Sequence, residues 1–311
     1  MKMFFSLVTA AVLALCAVIT PVFAEDKTVS KQAPTLNNRF YFDQLYSNEK
    51  TLYDRILGAI ENGNASVYFA DLDLDHDSTV RVYEALRKDS YEFNQINMFG
   101  DGWYWIVIYE ERMIMHIDYN ANDPASRAAR MEFEDKAALI VEEANKQPTD
   151  YEKLKYIHDW IADNTVYLDD DTKDEIRTAD GPILSGIALC SGYTRAFQYL
   201  AQSLGFDCIY VSGIGNTISH AWNMVELDGE WYNVDVTWDD GDTVNYAYFL
   251  KGEKTFTASG TEHIPDSGFT YPEAHLDYDP PKSVFSVVLT IIRVLVCGAF
   301  VVFIFLFHRK R

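Results

Sequence analysis

Ser219-His-Ala-Trp-Asn-Met-Val-Glu-Leu-Asp-Gly-Glu-Trp-Tyr-Asn-Val-Asp-Val-Thr-Trp238 is the stretch that decides the fold. Two runs rich in aromatic and β-branched residues flank Asp228-Gly229, a strong hairpin signal because both residues tolerate positive φ. With those two residues as the turn, Leu227 pairs with Glu230, and the register follows by counting. His220 then faces Thr237 and Trp222 faces Asp235. Side chains alternate with period two, so His220 and Asp235 are diagonal neighbours on one face. Diagonal Cβ atoms lie roughly 7–8 Å apart, close enough for a carboxylate to reach an imidazole. Trp222, Met224, Trp231 and Asn233 share that face and are candidates for excluding water. By themselves, a His and an Asp on a hairpin are an ordinary polar pair.

The upstream sequence changes that reading. Leu184-Ser-Gly-Ile-Ala-Leu-Cys190-Ser-Gly-Tyr-Thr-Arg runs into Ala196–Leu204, an amphipathic helical pattern closed by Gly205. Cys190 falls at or near the first turn. There the unpaired amides and the helix dipole favour an anion, hence a thiolate. Alone, Cys190 reads rather as a small apolar residue packed at a helix start. A helix-start cysteine ahead of a His–Asp hairpin predicts a nucleophile, a base and an orienting carboxylate.

Three motifs stand in order: Gly-x-x-x-Cys190-x-Gly-Tyr, His220-Ala-Trp-Asn, and Asp-Gly-x-Trp-Tyr-x-Val-Asp235-x-Thr-Trp-Asp. Together they resemble the transglutaminase-like (papain-like) superfamily, in its short bacterial form, from about Asp150 to about Leu250. The resemblance implies an α+β fold with a nucleophile helix packed on an antiparallel sheet. It implies catalytic Cys190, His220 and Asp235. The implied chemistry is acyl transfer from an amide through a cysteine thioester, to an amine or to water. The helix before Tyr167, and Tyr167 itself, resemble the family's entry segment. Larger animal members use an upstream tryptophan as an oxyanion donor and bind calcium through extra domains. Here Trp160 is a weak match for that tryptophan, and the donor beyond the Cys190 amide stays open. A non-catalytic surface or adhesion module reusing the fold is the alternative.

No cofactor or metal is expected. Asp71, Asp73, Asp75 and Asp77 begin like a calcium loop, but His76 stands where Gly is needed and Val82 where the last Glu belongs. Ser66–Asp77 therefore reads as a strand with a solvated acidic face. Cys208, in Phe206-Asp-Cys-Ile-Tyr, reads as a buried strand residue, and a disulfide to Cys190 would silence the site.

The chain has 311 residues, with 47 acidic and 26 basic side chains and a net charge of −21. Five of the basic residues lie at the two ends, so the segment 25–283 sets 21 against 47, a net of −26. That balance excludes backbone binding to nucleic acid, which needs clustered Lys and Arg. Aromatics make up 14% of the chain, enough to build a core rather than a disordered acidic tract.

Both ends carry membrane signals, of different kinds. Lys2, the apolar run Phe4–Ile19, Pro21 and Val22-Phe23-Ala24 predict a signal peptide over 1–24. Val284–Phe307 is long enough to cross a bilayer, at about 1.5 Å per residue, despite Arg293. The tail 308–311, His-Arg-Lys-Arg, is of the type kept on the cytoplasmic side. The expected protein is thus a single-pass membrane protein with its catalytic domain outside. Its expected partners are the membrane and a protein or peptide substrate at the cell surface or in the cell wall.

Between these ends, 25–38 reads as a linker and 39–147 as an α/β accessory region. The catalytic core is placed at 148–258 and a Pro-rich stalk at 259–283. Helices are expected at Phe40–Ile60, Val80–Lys88 and Arg127–Gln147, with strands at Gly102–Tyr109 and Met113–Tyr119. Thr149-Asp-Tyr-Glu152 is a capping box opening the next helix, whose inward face carries Leu154, Ile157, His158 and Ile161. His158 reads as a satisfied core residue.

Overall fold

The computed structural model describes residues 39–62, 66–89, 104–109, 112–117, 124–170, 172–257 and 262–280. The expected signal peptide (1–24) and membrane span (284–307) lie outside these residues. Among the described residues, no helix is long and apolar enough to cross a membrane.

The elements, in chain order, begin with α1 (Phe40–Asp43), α2 (Ser47–Glu61), β1 (Ser66–Tyr68), α3 (His76–Asp89), β2 (Tyr104–Tyr109) and β3 (Arg112–Ile117). Next come α4 (Pro124–Asn145), α5 (Asp150–Asn164), β4 (Val166–Tyr167), β5 (Ile187–Ala188) and α6 (Cys190–Ser203). The rest are β6 (Cys208–Gly215), β7 (Ile218–Leu227), β8 (Glu230–Val234), α7 (Val236–Asp239), α8 (Glu253–Phe256) and β9 (His263–Pro265). The central sheet has four strands in the order β8-β7-β6-β9. A three-stranded sheet, β1-β3-β2, and the parallel pair β4-β5 complete the described strands.

The hairpin forms as counted. Asp228 and Gly229 adopt φ of 56° and 84°, the left-handed values that this turn demands. The register runs from Leu227↔Glu230 to Asn223↔Val234. It then stops. The expected pairs Trp222–Asp235 and His220–Thr237 do not form, because Asp235 leaves the ladder to cap α7. Its side chain accepts from the Trp238 amide.

The central sheet is buried on both faces, which explains its near-continuous apolar strands. On one face, Cys208, Val225, Leu227, Tyr232 and Val234 pack against α4, α5 and α6, through residues such as Phe133, Ile140, Leu154, Ile157 and Phe197. On the other, Ile209, Val211, Trp222 and Met224 pack against α1–α3, through Tyr41, Leu52, Ile56, Val82 and Leu86. The accessory boundary therefore shifts. Residues 39–89 form the second wall of the central sheet, and α4 packs with α6.

Other expectations change for identifiable reasons. The helix over Phe40–Ile60 is interrupted after Asp43, and Gln44 turns its amide to Thr270. It donates to the Thr270 carbonyl at 3.0 Å and accepts from the Thr270 amide at 2.8 Å. The strand over Ser66–Asp77 ends at Tyr68. Asp71 pairs with Arg55 at 2.7 Å, and Asp75 accepts from the Ser78 amide at 2.8 Å to start α3. The stalk is not a free tether over its described part. β9 pairs with β6, the Ala274 side chain is buried, and the Glu253 amide donates to the Ala274 carbonyl at 2.7 Å.

Capping fixes the helices that matter. Thr149 accepts from the Glu152 amide at 3.2 Å and donates to the Glu152 carboxylate at 2.8 Å, starting α5. At the end of α6, Gly205 takes φ 91° and the Phe206 amide bonds the Ala201 carbonyl. His158, fully buried on α5, meets Asp159 through Nδ1 and Asp239 of α7 through Nε2, each at 3.1 Å. Burial opposes the imidazolium, but the two carboxylates outweigh it and hold the ring's pKa above its ordinary value. A raised pKa means stability that is full below about pH 6.5 and lost as pH climbs through the folded value. Thermal midpoints above neutral pH should therefore fall more steeply with pH in the wild type than in His158→Gln. Equal slopes would remove the charged clamp.

Candidate active site

Each motif residue has a structural task that places Cys190 against the hairpin. Cys190 is the first residue of α6, and Leu189 provides no side-chain cap. The Gly192 and Tyr193 amides donate to the Leu189 carbonyl at 2.9 and 3.2 Å, which leaves the Cys190 and Ser191 amides ahead of the helical ladder. Gly186 takes φ 69° to turn the chain into β5. Gly192 lets α6 sit against the preceding loop, where a Cβ would come within 2.4 Å of the Ile176 carbonyl oxygen. Tyr193 donates its hydroxyl to Asp240 at 2.6 Å, tying the nucleophile helix to the segment that follows Asp235.

The expected trio comes together. His220 Nε2 lies 2.7 Å from Asp235 Oδ2, and both side chains are buried. With Nε2 committed, Nδ1 is the nitrogen left for the thiol, and the Cys190 side chain lies within hydrogen-bonding reach of the ring. Burial lowers the His220 pKa. The Asp235 charge, its hydrogen bond and Cys190 outweigh that and carry it up to about 10. Burial pushes the Asp235 carboxyl up, but the two imidazoles beside it bring it below its ordinary value. The imidazole is therefore built to stay protonated.

Trp238 was not singled out by the sequence. It stacks on the His220 ring at 4.7 Å between centroids with a 17° tilt. It shields the imidazole as the second tryptophan of the Asp235 motif. Trp222 is buried and packs edge-on to a further ring, His263, at 4.9 Å. Met224 and Trp231 pack with α1–α3 rather than lining a water-free cleft. Asn233 bonds the Lys251 backbone.

The sequence reading also missed His263. It lies opposite Gly215 on β9, and its Nε2 sits 3.2 Å from the same Asp235 Oδ2. The only available signal was a lone histidine in a Pro-rich segment. Among the described residues, His220, Asp235 and His263 form the one group of metal-capable residues with ligand atoms within 4.8 Å of one another. Both Nε2 atoms bond to the oxygen between them, so they act here as proton donors rather than as metal ligands.

Trp160 packs its indole against the α4–α6 core. Tyr167, opposite Ala188 on β4, instead brings its half-exposed phenol into electrostatic contact with Cys190. Cys190 and Cys208 are both free thiols, so no disulfide silences the site. Cys208 is fully buried, and burial pushes its pKa well up.

The fold and motif order define a cysteine–histidine core built on a nucleophile helix and an antiparallel sheet. Residues 138–236 match the family model described as the transglutaminase-like superfamily. Two curated relatives are similar: the kyphoscoliosis peptidases of Homo sapiens and Mus musculus. Each is 29% identical over 154 residues, covering 42% of this chain and 23% of the relative. The chain thus spans less than a quarter of the length of those relatives. A solved transglutaminase structure, titled "Crystal structure of a TGase", is 16% identical. It covers 57% of this chain and 55% of that chain, with a TM-score of 0.35.

Room for the His220 ring comes from a bare strand. A Cβ at Gly215 would lie 2.8 Å from His220 Cβ and Cδ2. Gly215→Ala should therefore displace the imidazole and slow alkylation of Cys190 by about ten- to a hundredfold. Adduct mapping by mass spectrometry measures this, and an unchanged rate would show that the ring does not depend on the gap.

Proposed function

We propose that the protein is an exported, membrane-anchored cysteine enzyme that acts on the amides of proteins or peptides through a thioester on Cys190. The observation that carries this reading is the His220 ring held between the Asp235 carboxylate and the Cys190 thiol. The thiolate sulfur attacks the amide carbonyl carbon. The resulting oxyanion sits against the Cys190 amide at the start of α6, and we assign the second donor to the Tyr167 hydroxyl, whose phenol interacts electrostatically with Cys190. His220 passes its proton to the departing nitrogen, and the C–N bond breaks. The acyl group stays on Cys190 as a thioester while ammonia or an amine leaves. An incoming amine or water then loses a proton to His220 and attacks the thioester carbonyl, the C–S bond breaks, and the thiolate and imidazolium are restored.

The same thioester serves both acceptors. The relatives' name, peptidase, supports water, and the superfamily name supports an amine. Export and anchoring rest on the sequence features of 1–24 and 284–307. They would place the substrate at the cell surface or in the cell wall, with the basic tail in the cytoplasm.

A thiol-reactive electrophile tests the core of the reading. Cys190 should label faster than free cysteine at neutral pH, and His220→Ala should reduce that rate by at least about tenfold. Reaction no faster than free cysteine would instead favour a binding module. Incubation with a glutamine peptide and a labelled amine then separates the two outcomes. Incorporated label defines a transferase; ammonia release or cleavage without label defines a hydrolase.

A further inference from the structure

We propose that His263 is a fourth member of the catalytic assembly, a positioning residue that holds the Asp235 carboxylate in the orientation His220 needs. This rests on the proposed thiol–imidazole function. The case begins with the acceptor. Asp235 Oδ1 takes the Trp238 amide at 3.2 Å, and Oδ2 is shared by His220 at 2.7 Å and His263 at 3.2 Å. A carboxylate at the end of a strand can rotate about its side-chain bonds. Three donors from three different elements leave it one orientation.

The surroundings of His263 argue for a purpose beyond packing. Its ring lies among Phe256, Trp238 and Trp222 at 4.0, 4.3 and 4.9 Å between centroids. The residue is 4% exposed, and its Nδ1 is buried with no partner. An apolar ring would fill the same space without stranding a nitrogen. The one polar interaction that repays burying an imidazole here is the bond from Nε2 to Asp235. The backbone is shaped for this contact. A Cβ at Gly213 would lie 2.1 Å from the Ile264 carbonyl oxygen, so only a glycine lets β9 approach β6 closely enough.

The titratable groups around Asp235 are His220 from β7, His263 from β9, Asp239 from α7 and Cys190 from α6 acting through His220. Of these, His263 donates to the carboxylate through Nε2, and its bond helps keep Asp235 ionised in a buried place. Without it, Asp235 takes up a proton at higher pH, and the imidazolium loses its counter-charge sooner on the acid side.

The test uses the full chain and follows iodoacetamide alkylation of Cys190 from about pH 5 to about pH 9, beside thermal midpoints. His263→Gln keeps an N–H donor near the Nε2 position; His263→Leu removes it. The leucine variant should lose about tenfold in rate at neutral pH, and its acid limb should move up by about one pH unit. The glutamine variant should stay within about threefold with its limb in place. If His263→Leu does not fold, His263→Asn, polar but too short to reach, takes its place with the same expectation.

A wild-type rate and profile in the donor-less variant would overturn the proposal. So would equal losses in both variants at matched thermal midpoints, because packing would then be the cause. If wild-type Cys190 reacts no faster than free cysteine and His220→Ala changes nothing, the functional reading fails and takes this one with it. A fast wild-type thiol with an indifferent His263→Leu rejects the role of His263 alone.

Discussion

The Asp235 carboxylate is the constraint on which the rest of the site depends. It ends β8, caps α7 and receives two imidazoles, and each job limits the others. Capping α7 aims Trp238 at the His220 ring. Receiving His220 frees the opposite ring nitrogen for the thiol. A buried carboxylate is costly unless several donors meet it, and here the donors come from α7, β7 and β9. The cost of burying the charge is offset by the same contacts that orient it.

That anchor also explains why the site is spread across the fold. Cys190 depends on the first turn of α6, which Gly192 and Tyr193 set against the loops on either side. α7, which follows Asp235, is held from behind by the His158–Asp239 clamp. Cys190 and the His220 ring are therefore positioned by separate elements that meet at one end of a doubly covered sheet. No single helix or hairpin would hold them in place alone.

What was legible in the sequence was local. Asp228-Gly229 fixed the register from Leu227–Glu230 to Asn223–Val234 by counting. The meeting of His220 with Asp235 just beyond it was expected from that count, although Asp235 leaves the ladder to cap α7. Gly205 and Thr149 marked helix ends for stereochemical reasons that need no tertiary context. What was not legible depended on distant partners. His263 reaches Asp235 because β9 returns to β6 across a Pro-rich stretch, and nothing in its own neighbourhood marks it. The break after Asp43 has its reason in Thr270, far along the chain. The aspartates from Asp71 to Asp77 looked like one strand face, but one meets Arg55 and another starts a helix. The short-range pattern was blind to both.

The two-sided burial of the central sheet has a further consequence for where this protein begins and ends as a folding unit. The matched span 138–236 contains Cys190, His220 and Asp235, yet it omits α1–α3, which cover Ile209, Val211, Trp222 and Met224. It also omits β9. Trimmed to those limits, the polypeptide would present a bare apolar wall on the sheet that carries His220. The span that homology outlines and the span that physics keeps soluble are different lengths of chain.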